Sequence, residues 1–444
     1  MFEKALVLLE ERKFGQLRSF LQDLNPADIA LFMDEIPKES LPVVFRILSK
    51  DIAAETFTFM DSDLQEHLIH SFSDSELKAV IDELYLDDAV DIVEEMPANV
   101  IKRILRSADP DKRKMINEIL KYPEDSAGSI MTIEFVSLRK RMTVKEALNR
   151  IRKTGLDKET IYTCYVTSEH NKLCGIITAK ALLLADESDV IGDIMEQNPI
   201  YVTTLEDKEV VANTLHKYDF LALPVVDEER RLVGIVTIDD AMDVLQEEAT
   251  EDMEKMAAIL PGDKPYLKTS VFELWKNRIP WLLLLMLSAS FTTMIMRSFE
   301  NSLASQVILA SFIPMLMGTG GNSGSQASVT VIRGLSLGEI EFSDILVTIW
   351  KETRVAILCG LTLAVASFFK VIWLDGASIT VSLVVSLTIL LTVLTAKVTG
   401  SVLPILASKL GFDPAVMANP FITTIVDALS LVIYFNIASS IIGL

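Results

Sequence analysis

The chain has 444 residues, half of them hydrophobic, and a formal net charge of −21. A length of this order favours about three domains. From Val271 onward acidic and basic residues balance at nine each, so all of the negative charge falls on residues 1–270. An acidic half argues against nucleic acid, whose phosphates need Lys and Arg, and it suits a cationic partner.

The cysteines and the N-terminal segment indicate the compartment of the acidic half. Three cysteines without metal-like pairing fit a reducing compartment with no disulfide framework. The segment MFEKALVLLEERKFG carries charges of both signs and no small-residue cleavage site, so we do not expect a signal peptide. We therefore expect this half to be cytoplasmic.

Residues 1–125 are predicted to be helical throughout. Apolar positions recur every three or four residues, and prolines mark the ends of the segments. The segment Asp28–Pro37 recurs as Asp88–Pro97, an internal repeat typical of stacked helices. The pattern predicts an acidic, all-α superhelical N-terminal domain.

Residues 126–252 contain a second repeat, of mixed α/β type. Ser129–Met131 in the first copy corresponds to Asp193–Met195 in the second. Each copy is predicted as strand, helix, strand, polar turn, strand and helix. This arrangement resembles a tandem pair of CBS domains, at 126–188 and 189–245. CBS pairs form a regulatory module that often binds adenine nucleotides.

The last strand of each copy determines how many nucleotide sites the resemblance implies. In the second copy, GIVTIDD places Thr237 and Asp240 at the family's ribose and phosphate contacts. The first copy has Lys180 and Ala181 where the acid would be. The resemblance therefore implies at most one site for a nucleotide such as ATP, held by Thr237 and Asp240.

An acidic segment from Asp239 to Asp263 is predicted to form one helix that leads into the apolar half. Its acids lie on adjoining faces, so like charges repel one turn apart. A solvated surface helix is the commoner explanation of such a run. Because this helix joins a regulatory module to an apolar region, we also consider a helix strained by its own charge and relaxed by divalent cations. We assign 246–270 as the connecting segment.

The apolar half, 271–444, is predicted to cross a membrane five times. The predicted spans, each long enough for a bilayer, are 279–297, 303–329, 345–372, 379–405 and 415–441. With the N-terminus inside, Lys and Arg concentrate at the cytoplasmic flanks and the C-terminus lies outside. Lys397, late in the fourth span, is expected to snorkel to the inner face.

The fifth span carries a carboxylate in its middle. Asp427 has Thr423, Thr424 and Ser430 three or four residues away, on the same helix face. A charge at that depth costs at least ~2.5–3.5 kcal/mol, so it faces protein or a water-filled path. A buried Asp that only bonds a neighbouring helix is the simpler explanation. Our hypothesis is that Asp427 binds a cation.

Two further features favour an ion path. The segment GTGGNSGSQ (318–326) is expected to interrupt the second span, although close helix packing would explain its small residues equally well. Pro420 is expected to open backbone carbonyls in the fifth span, next to Asn419. Carbonyls, Asn419 and Asp427 would then form an oxygen-rich wall, which hard cations such as Mg²⁺ prefer.

Three motifs of the apolar half carry a more specific resemblance. They are GTGGNSGSQ (318–326), GFDPAVMANPF (411–421) and TTIVD (423–427), behind a CBS pair and an acidic helical domain. Together they resemble the MgtE family of magnesium channels over essentially the whole chain. The resemblance implies a multidomain membrane protein. Its expected parts are an all-α superhelical N-terminal domain, α/β tandem CBS domains, a connecting plug helix and a five-helix α transmembrane domain.

The resemblance also implies two kinds of metal site. The family is a homodimer of a prokaryotic plasma membrane, and it takes up Mg²⁺ through a pore on the two-fold axis. In that pore Asp427 would hold hydrated Mg²⁺ beside Asn419. Intracellular Mg²⁺ would close the pore by bridging acids of the N-terminal domain, the CBS pair and the plug helix. The matching acids are Glu55, Asp87, Asp91, Asp207, Glu209, Asp219, Asp240, Asp243, Glu248, Glu251, Asp252 and Asp413.

The residues leave other functions open. Asp427 and carbonyls do not separate Mg²⁺ from Mn²⁺, Co²⁺ or Ni²⁺, so a CBS-gated transporter of another divalent cation is the main alternative. A membrane-anchored nucleotide sensor that transports nothing is a second. We find no Walker motif, HExxH, nucleophile elbow or Cys–His pair in a plausible context, so we do not expect an enzyme.

Overall fold

The computed structural model describes residues 2–262, 266–299, 307–417 and 419–443. The chain divides into two compact units, Met1–Leu245 and Gln246–Leu444. Helices occur in both units, and the strands of the described residues all lie in the first.

The first unit begins with a stack of short helices. They are α1 Glu3–Glu10, α2 Phe14–Leu21, α3 Pro26–Glu35, α4 Leu41–Ile47, α5 Lys50–Thr58, α6 Ser62–Ser71, α7 Asp74–Glu83, α8 Leu86–Glu95, α9 Ala98–Ser107 and α10 Pro110–Ile119. Alternate helices pack on each other, α3 on α5, α5 on α7 and α7 on α9. Local signals set the ends: Asn25 caps α3 ahead of Pro26, and Ser73 and Glu76 form a capping box on α7. The predicted all-α domain is confirmed.

Two small sheets follow the helical stack. Their elements are β1 Phe135–Arg139, α11 Val144–Thr154, β2 Thr160–Thr167, β3 Leu173–Thr178, α12 Ala179–Leu184, α13 Ile191–Ile194, β4 Glu196–Gln197, β5 Val202–Thr203, α14 Lys208–Tyr218, β6 Ala222–Val226 and β7 Leu232–Thr237. The first sheet has the order β1-β2-β3-β4 and the second β5-β6-β7. Each begins with a parallel pair and continues with an antiparallel one. This duplication confirms the predicted α/β pair.

A shared core links the helical stack to the second α/β repeat. One hydrophobic cluster extends from Leu17 and Val93 in the helices to Leu223 and Val236 in the second sheet. The first repeat has its own core, which includes Cys164. Packing therefore places the helical stack against the second repeat within the first unit.

Helix α15, Ile238–Met256, begins in the first unit, and its second half belongs to the second unit. The predicted helix was longer, from Asp239 to Asp263, and that C-terminal extent is wrong. The helix ends because Ala258 adopts a left-handed backbone with φ 56° and Pro261 follows it.

The second unit consists mainly of long helices. They are α16 Val271–Ser298, α17 Ile313–Ser336, α18 Ile345–Trp373, α19 Ile379–Lys409 and α20 Asn419–Ile442. Among the described residues, four stretches are long and apolar enough to cross a membrane: Val271–Ser298, Phe342–Trp373, Ile379–Lys409 and Pro414–Ile442. Residues 303–306 of the predicted second span lie outside the described residues. The five-span assignment stays a prediction.

Two predictions about these helices are wrong. Helix α17 continues without a break through 318–326, and glycines of this segment lie where neighbouring helices pack closely. A Cβ atom on Gly321 would lie 2.6 Å from the side chain of Thr423 on α20. Pro420 lies in the first turn of α20, where its missing N–H has no intrahelical partner to lose, so it does not interrupt the helix near Asp427.

Candidate metal sites and ion pathway

Three carboxylates of the first unit converge on one point. Asp87 lies in the first turn of α8, while Glu134 and Glu159 directly precede β1 and β2. One oxygen atom of each lies within 4.8 Å of the others. Strands β1 and β2 are parallel with Phe135 opposite Thr160, so the residues just before them are neighbours. We call Asp87, Glu134 and Glu159 the acidic cluster.

Because the carboxylates of the acidic cluster are shielded from water, their charged forms are unfavourable without a bound cation. Asp87 is 5% exposed, and burial, reinforced by the charge of Asp240, raises its pKa well above the ordinary value. Burial, with help from Asp88, raises the pKa of Glu159 to about 8. The Oε2 atom of Glu159 is buried and has no hydrogen-bond partner among the described residues. A bound cation would offset these costs.

Sequence reasoning missed Glu134, Glu159 and a neighbouring lysine. The backbone N–H of Leu86 donates to Oε2 of Glu134 at 3.0 Å, so Glu134 is held at the start of α8. Lys112 is buried, and burial lowers its pKa although Glu134 and other acids nearby oppose that shift. The signal that connects them lies in the strand register, because both acids stand immediately before strands that pair in parallel.

Asp240 lies near the acidic cluster. Burial raises its pKa to about 7. The Oγ1 atom of Thr237 donates a hydrogen bond to Oδ2 of Asp240, so the two predicted nucleotide contacts already bond to each other. Asp91 lies one turn beyond Asp87 on α8, and Asp243 lies one turn beyond Asp240 on α15. Asp91 and Asp243 are both exposed. One carboxylate, Asp240, is thus a candidate for both the metal and the nucleotide.

The other predicted ligands of the first unit are spread out. Asp207 caps α14, and its Oδ1 accepts from the N–H of Glu209 at 2.8 Å. Asp219 ends the same 11-residue helix in a left-handed conformation. At 1.5 Å per residue Asp207 and Asp219 are about 18 Å apart. Glu55 is exposed on α5.

In the second unit, the end of α15 meets the loop before α20. The Nζ atom of Lys255 lies 2.6 Å from Oε1 of Glu251 and 2.6 Å from Oδ2 of Asp413. Burial alone would lower the pKa of Lys255, but its bonds to Asp413 and Glu251 raise it. Glu248, nearly one turn before Glu251, is half-buried. Two predicted ligands are therefore brought together, with a lysine between them that sequence analysis did not single out.

Asp252 adds a third acid to this region. The hydroxyl of Ser336 at the end of α17 donates to its Oδ2 at 3.3 Å. Burial and the charge of Asp413 raise the pKa of Asp252. The side chain therefore lies in a partly buried, negatively charged environment, as a cation ligand would.

Asp427 lies in the middle of α20 and is half-buried. Its Oδ1 atom is buried and receives no hydrogen bond from the described residues. The hydroxyls of Thr424 and Ser430 donate to backbone carbonyls one turn earlier on the same helix, at 3.0 and 2.6 Å. Asn419 begins α20, and its side chain lies outside the described part of the chain. Asp427 thus places on an apolar helix a carboxylate whose Oδ1 has no hydrogen-bond donor in the described part of the chain.

Lys397 on α19 is buried, at 5% exposed, so the prediction that it snorkels to the inner face is wrong. It faces Glu352 on α18, and it lines a cavity of about 550 Å³ between α17, α18 and α19. The polar lining also includes Thr319, Asn322, Ser323, Gln326 and Thr362. Asp427 is not among the lining residues, so this cavity is not the predicted ion site.

Comparison with known proteins decides the family. The MgtE model, described as a divalent cation transporter, matches residues 313–437. The model of the MgtE intracellular N domain matches 24–125, and the CBS model matches 127–188 and 191–247. The magnesium transporter MgtE of Thermus thermophilus is 37% identical over 97% of this chain and 96% of its own length. This chain belongs to the MgtE family of magnesium transporters.

Other members and solved structures agree with this assignment. The MgtE magnesium transporter of Bacillus subtilis is 33% identical over 99% of this chain and 97% of its own length. The crystal structure of the cytosolic domain of the Mg²⁺ channel MgtE in complex with ATP is 37% identical, with a TM-score of 0.51, and covers 54% of this chain and 99% of that structure. The soluble part of a magnesium transporter, 30% identical, has a TM-score of 0.53 over 56% of this chain and 98% of its own. The predicted family and fold class are confirmed.

Proposed function

We propose that this chain is a Mg²⁺-selective channel that takes up magnesium across the plasma membrane of a prokaryote. The observation that carries the proposal is Asp427, whose buried Oδ1 has no donor among the described residues. An ionisable group inside an apolar helix is expensive and marks an ion path by default. Membership of the MgtE family supports magnesium as the ion.

One carboxylate per chain is enough for this ion. Mg²⁺ dehydrates reluctantly and is usually held by one or two carboxylates while keeping several waters. In a homodimer with the pore on the two-fold axis, two copies of Asp427 would face one hydrated ion, beside Asn419. Transport of this kind needs no catalytic group, so we propose no enzyme activity.

Regulation would come from the acids outside the pore. Mg²⁺ at the acidic cluster and Asp240, and at Glu251, Asp252 and Asp413, would replace repulsion between carboxylates by attraction. Both regions act on one continuous helix, α15. Converting a mostly open channel to a mostly closed one needs about 5.5 kcal/mol of differential binding, which several weak sites can supply together. Further regulatory ligands would be Glu55, Asp91, Asp207, Glu209, Asp219, Asp243 and Glu248.

We also propose that the second CBS repeat binds an adenine nucleotide. The similar cytosolic domain solved in complex with ATP supports this. Binding would replace the hydrogen bond between Thr237 and Asp240 by contacts to the ligand. A nucleotide at Asp240 and Mg²⁺ at the same carboxylate would then influence each other.

We infer the orientation of the chain from its charge pattern. The acidic first unit would lie in the cytoplasm, the apolar helices in the lipid bilayer, and the C-terminus outside. In that arrangement the acidic cluster would meet intracellular Mg²⁺ while Asp427 would meet the ion in transit.

The test is Mg²⁺ uptake by proteoliposomes that contain the full chain. Uptake should be suppressed by Mg²⁺ on the side of the soluble unit, and an excess of Mn²⁺, Co²⁺ or Ni²⁺ should compete weakly. The variant Glu251→Ala/Asp252→Ala should take up Mg²⁺ without this suppression. Stronger transport of another divalent ion would favour the alternative of a different cargo, and no uptake of any ion would contradict transport.

A further inference from the structure

Lys255 occupies an unusual position for a residue among predicted metal ligands. Its Nζ atom lies 2.6 Å from Oε1 of Glu251 on its own helix and 2.6 Å from Oδ2 of Asp413 in a distant loop. The three side chains are 23%, 35% and 33% exposed, so the contact is partly shielded from water. We call Lys255, Glu251 and Asp413 the lysine bridge.

The lysine bridge is held in place from both sides. The Oδ1 atom of Asp413 accepts from the backbone N–H of Ala415 at 2.7 Å, which fixes the orientation of the carboxylate. Next to Lys255, Met256 packs against Ile332 and Ala415. The ammonium group is therefore directed at the carboxylates by ordered neighbours.

An ammonium group and Mg²⁺ cannot use the same oxygen atoms in the same way. Mg²⁺ binds carboxylate oxygens directly at about 2.0–2.1 Å, or through its own waters. An ammonium 2.6 Å from each oxygen already fills that space and offsets one of the two negative charges. Mg²⁺ that bridges Glu251 and Asp413 through these two oxygen atoms must therefore displace the ammonium group of Lys255.

We propose that Lys255 is a tethered cation that competes with Mg²⁺ for Glu251 and Asp413, and so sets the Mg²⁺ concentration to which the end of α15 responds. The consequence for closing the channel rests on the proposed function. Without Mg²⁺, the ammonium keeps the end of α15 against the loop before α20. Lys255 is a positioning residue, because it acts through the two acids and not on the transported ion.

A competing cation differs from an ordinary ion pair in how its loss affects the protein with and without Mg²⁺. A purely structural pair would change stability equally with and without Mg²⁺. Loss of a competing cation instead has opposite effects in EDTA and in Mg²⁺. Removing it weakens the contact in EDTA and strengthens Mg²⁺ binding, since the freed carboxylates regain their full charge.

The experiment is hydrogen exchange of the amides of 251–256 in the full chain, in lipid nanodiscs, across a Mg²⁺ titration. The variants are Lys255→Met, the charge-conserving Lys255→Arg, and Lys351→Met as a matched control at an exposed lysine of the same unit. In EDTA, Lys255→Met should speed exchange about tenfold. Its Mg²⁺ concentration for half-maximal protection should fall about fivefold or more. Lys255→Arg and the control should behave as the unmodified chain.

Unchanged exchange in EDTA, or an unchanged or higher Mg²⁺ requirement in Lys255→Met, would overturn the proposal. Should that variant fail to fold, the unmodified chain still provides a test. Raising KCl from about 0.05 to 0.5 M in EDTA should speed exchange of 251–256, because salt screens a partly exposed ion pair, and no change would count against the lysine bridge. If exchange responds as expected while Mg²⁺ does not suppress flux, the proposed regulation fails and the competition stands.

Discussion

The Nζ atom of Lys397 lies 3.8 Å from Oε2 of Glu352, and the two side chains are only 6% and 15% exposed. They join α18 to α19 inside the helical part of the second unit. Taking two charges out of water is costly, so each side chain depends on the other for compensation.

Removal of either Lys397 or Glu352 alone should therefore lower the free energy of unfolding more than removal of both. We expect Lys397→Met to destabilise the protein by about 3–5 kcal/mol, because Glu352 is left as a buried, unpaired charge. The double variant Lys397→Met/Glu352→Gln should recover most of that loss. Thermal unfolding in detergent, followed by size-exclusion chromatography, measures both. A double variant no more stable than the single one would show that the pair is not coupled.

The contact between α17 and α19 depends on a missing side chain. A Cβ atom on Gly400 would overlap the backbone carbonyl of Gly324, which cannot move aside, whereas one on Gly318 would meet nothing within 4 Å. Gly400→Ala should cost about 1–3 kcal/mol, as overpacking does. Gly318→Ala, the matched control, should be neutral or slightly stabilising. Equal melting temperatures for both variants would contradict this packing.

These contacts show where sequence reasoning ends. Periodicity and internal repeats predicted the helical stack and the α/β pair, because those patterns are local. Lys255 and Asp413 are 158 positions apart, and nothing near either residue specifies the other. Gly324 and Gly400 lie on different helices, and the sequence does not show that they meet. Without that contact, the small residues of 318–326 could equally have indicated a break in α17. The ligand acids were found through resemblance, whereas Glu134 and Glu159 required the strand register.

Removal of metal should make stability depend on pH. Burial raises the pKa values of Asp88, Glu159 and Asp240 to about 6, 8 and 7. Such acids titrate near ~4 in the unfolded chain, so the folded state holds extra protons between those values and loses stability as pH rises. In EDTA the melting temperature should fall as the pH rises from about 4 to about 8. Millimolar Mg²⁺ should abolish the fall, and a rise in EDTA would contradict the burial of these acids.

The acidic cluster should respond to the loss of one charge. Glu159→Gln removes a buried carboxylate next to Asp87 and Glu134. In EDTA we expect the melting temperature to rise by about 2–4 °C, the shift that ~1 kcal/mol produces in a domain of this size. The stabilisation by Mg²⁺ should shrink, because a ligand is lost. The control is Glu169→Gln, at a side chain that is 78% exposed, and it should change neither quantity. Undiminished Mg²⁺ stabilisation in Glu159→Gln would exclude a metal at this point.

The most direct test of the account is Mg²⁺ flux through the Asp427→Asn variant in proteoliposomes. The substitution keeps the shape of the side chain and removes its charge. Asp375→Asn serves as control, because Asp375 lies just beyond the end of α18 and pairs with Lys370 at 2.7 Å. Flux should be lost in Asp427→Asn and retained in the control, with equal protein in the vesicles. Undiminished flux in Asp427→Asn would show that this carboxylate is structural and that the ion takes another path.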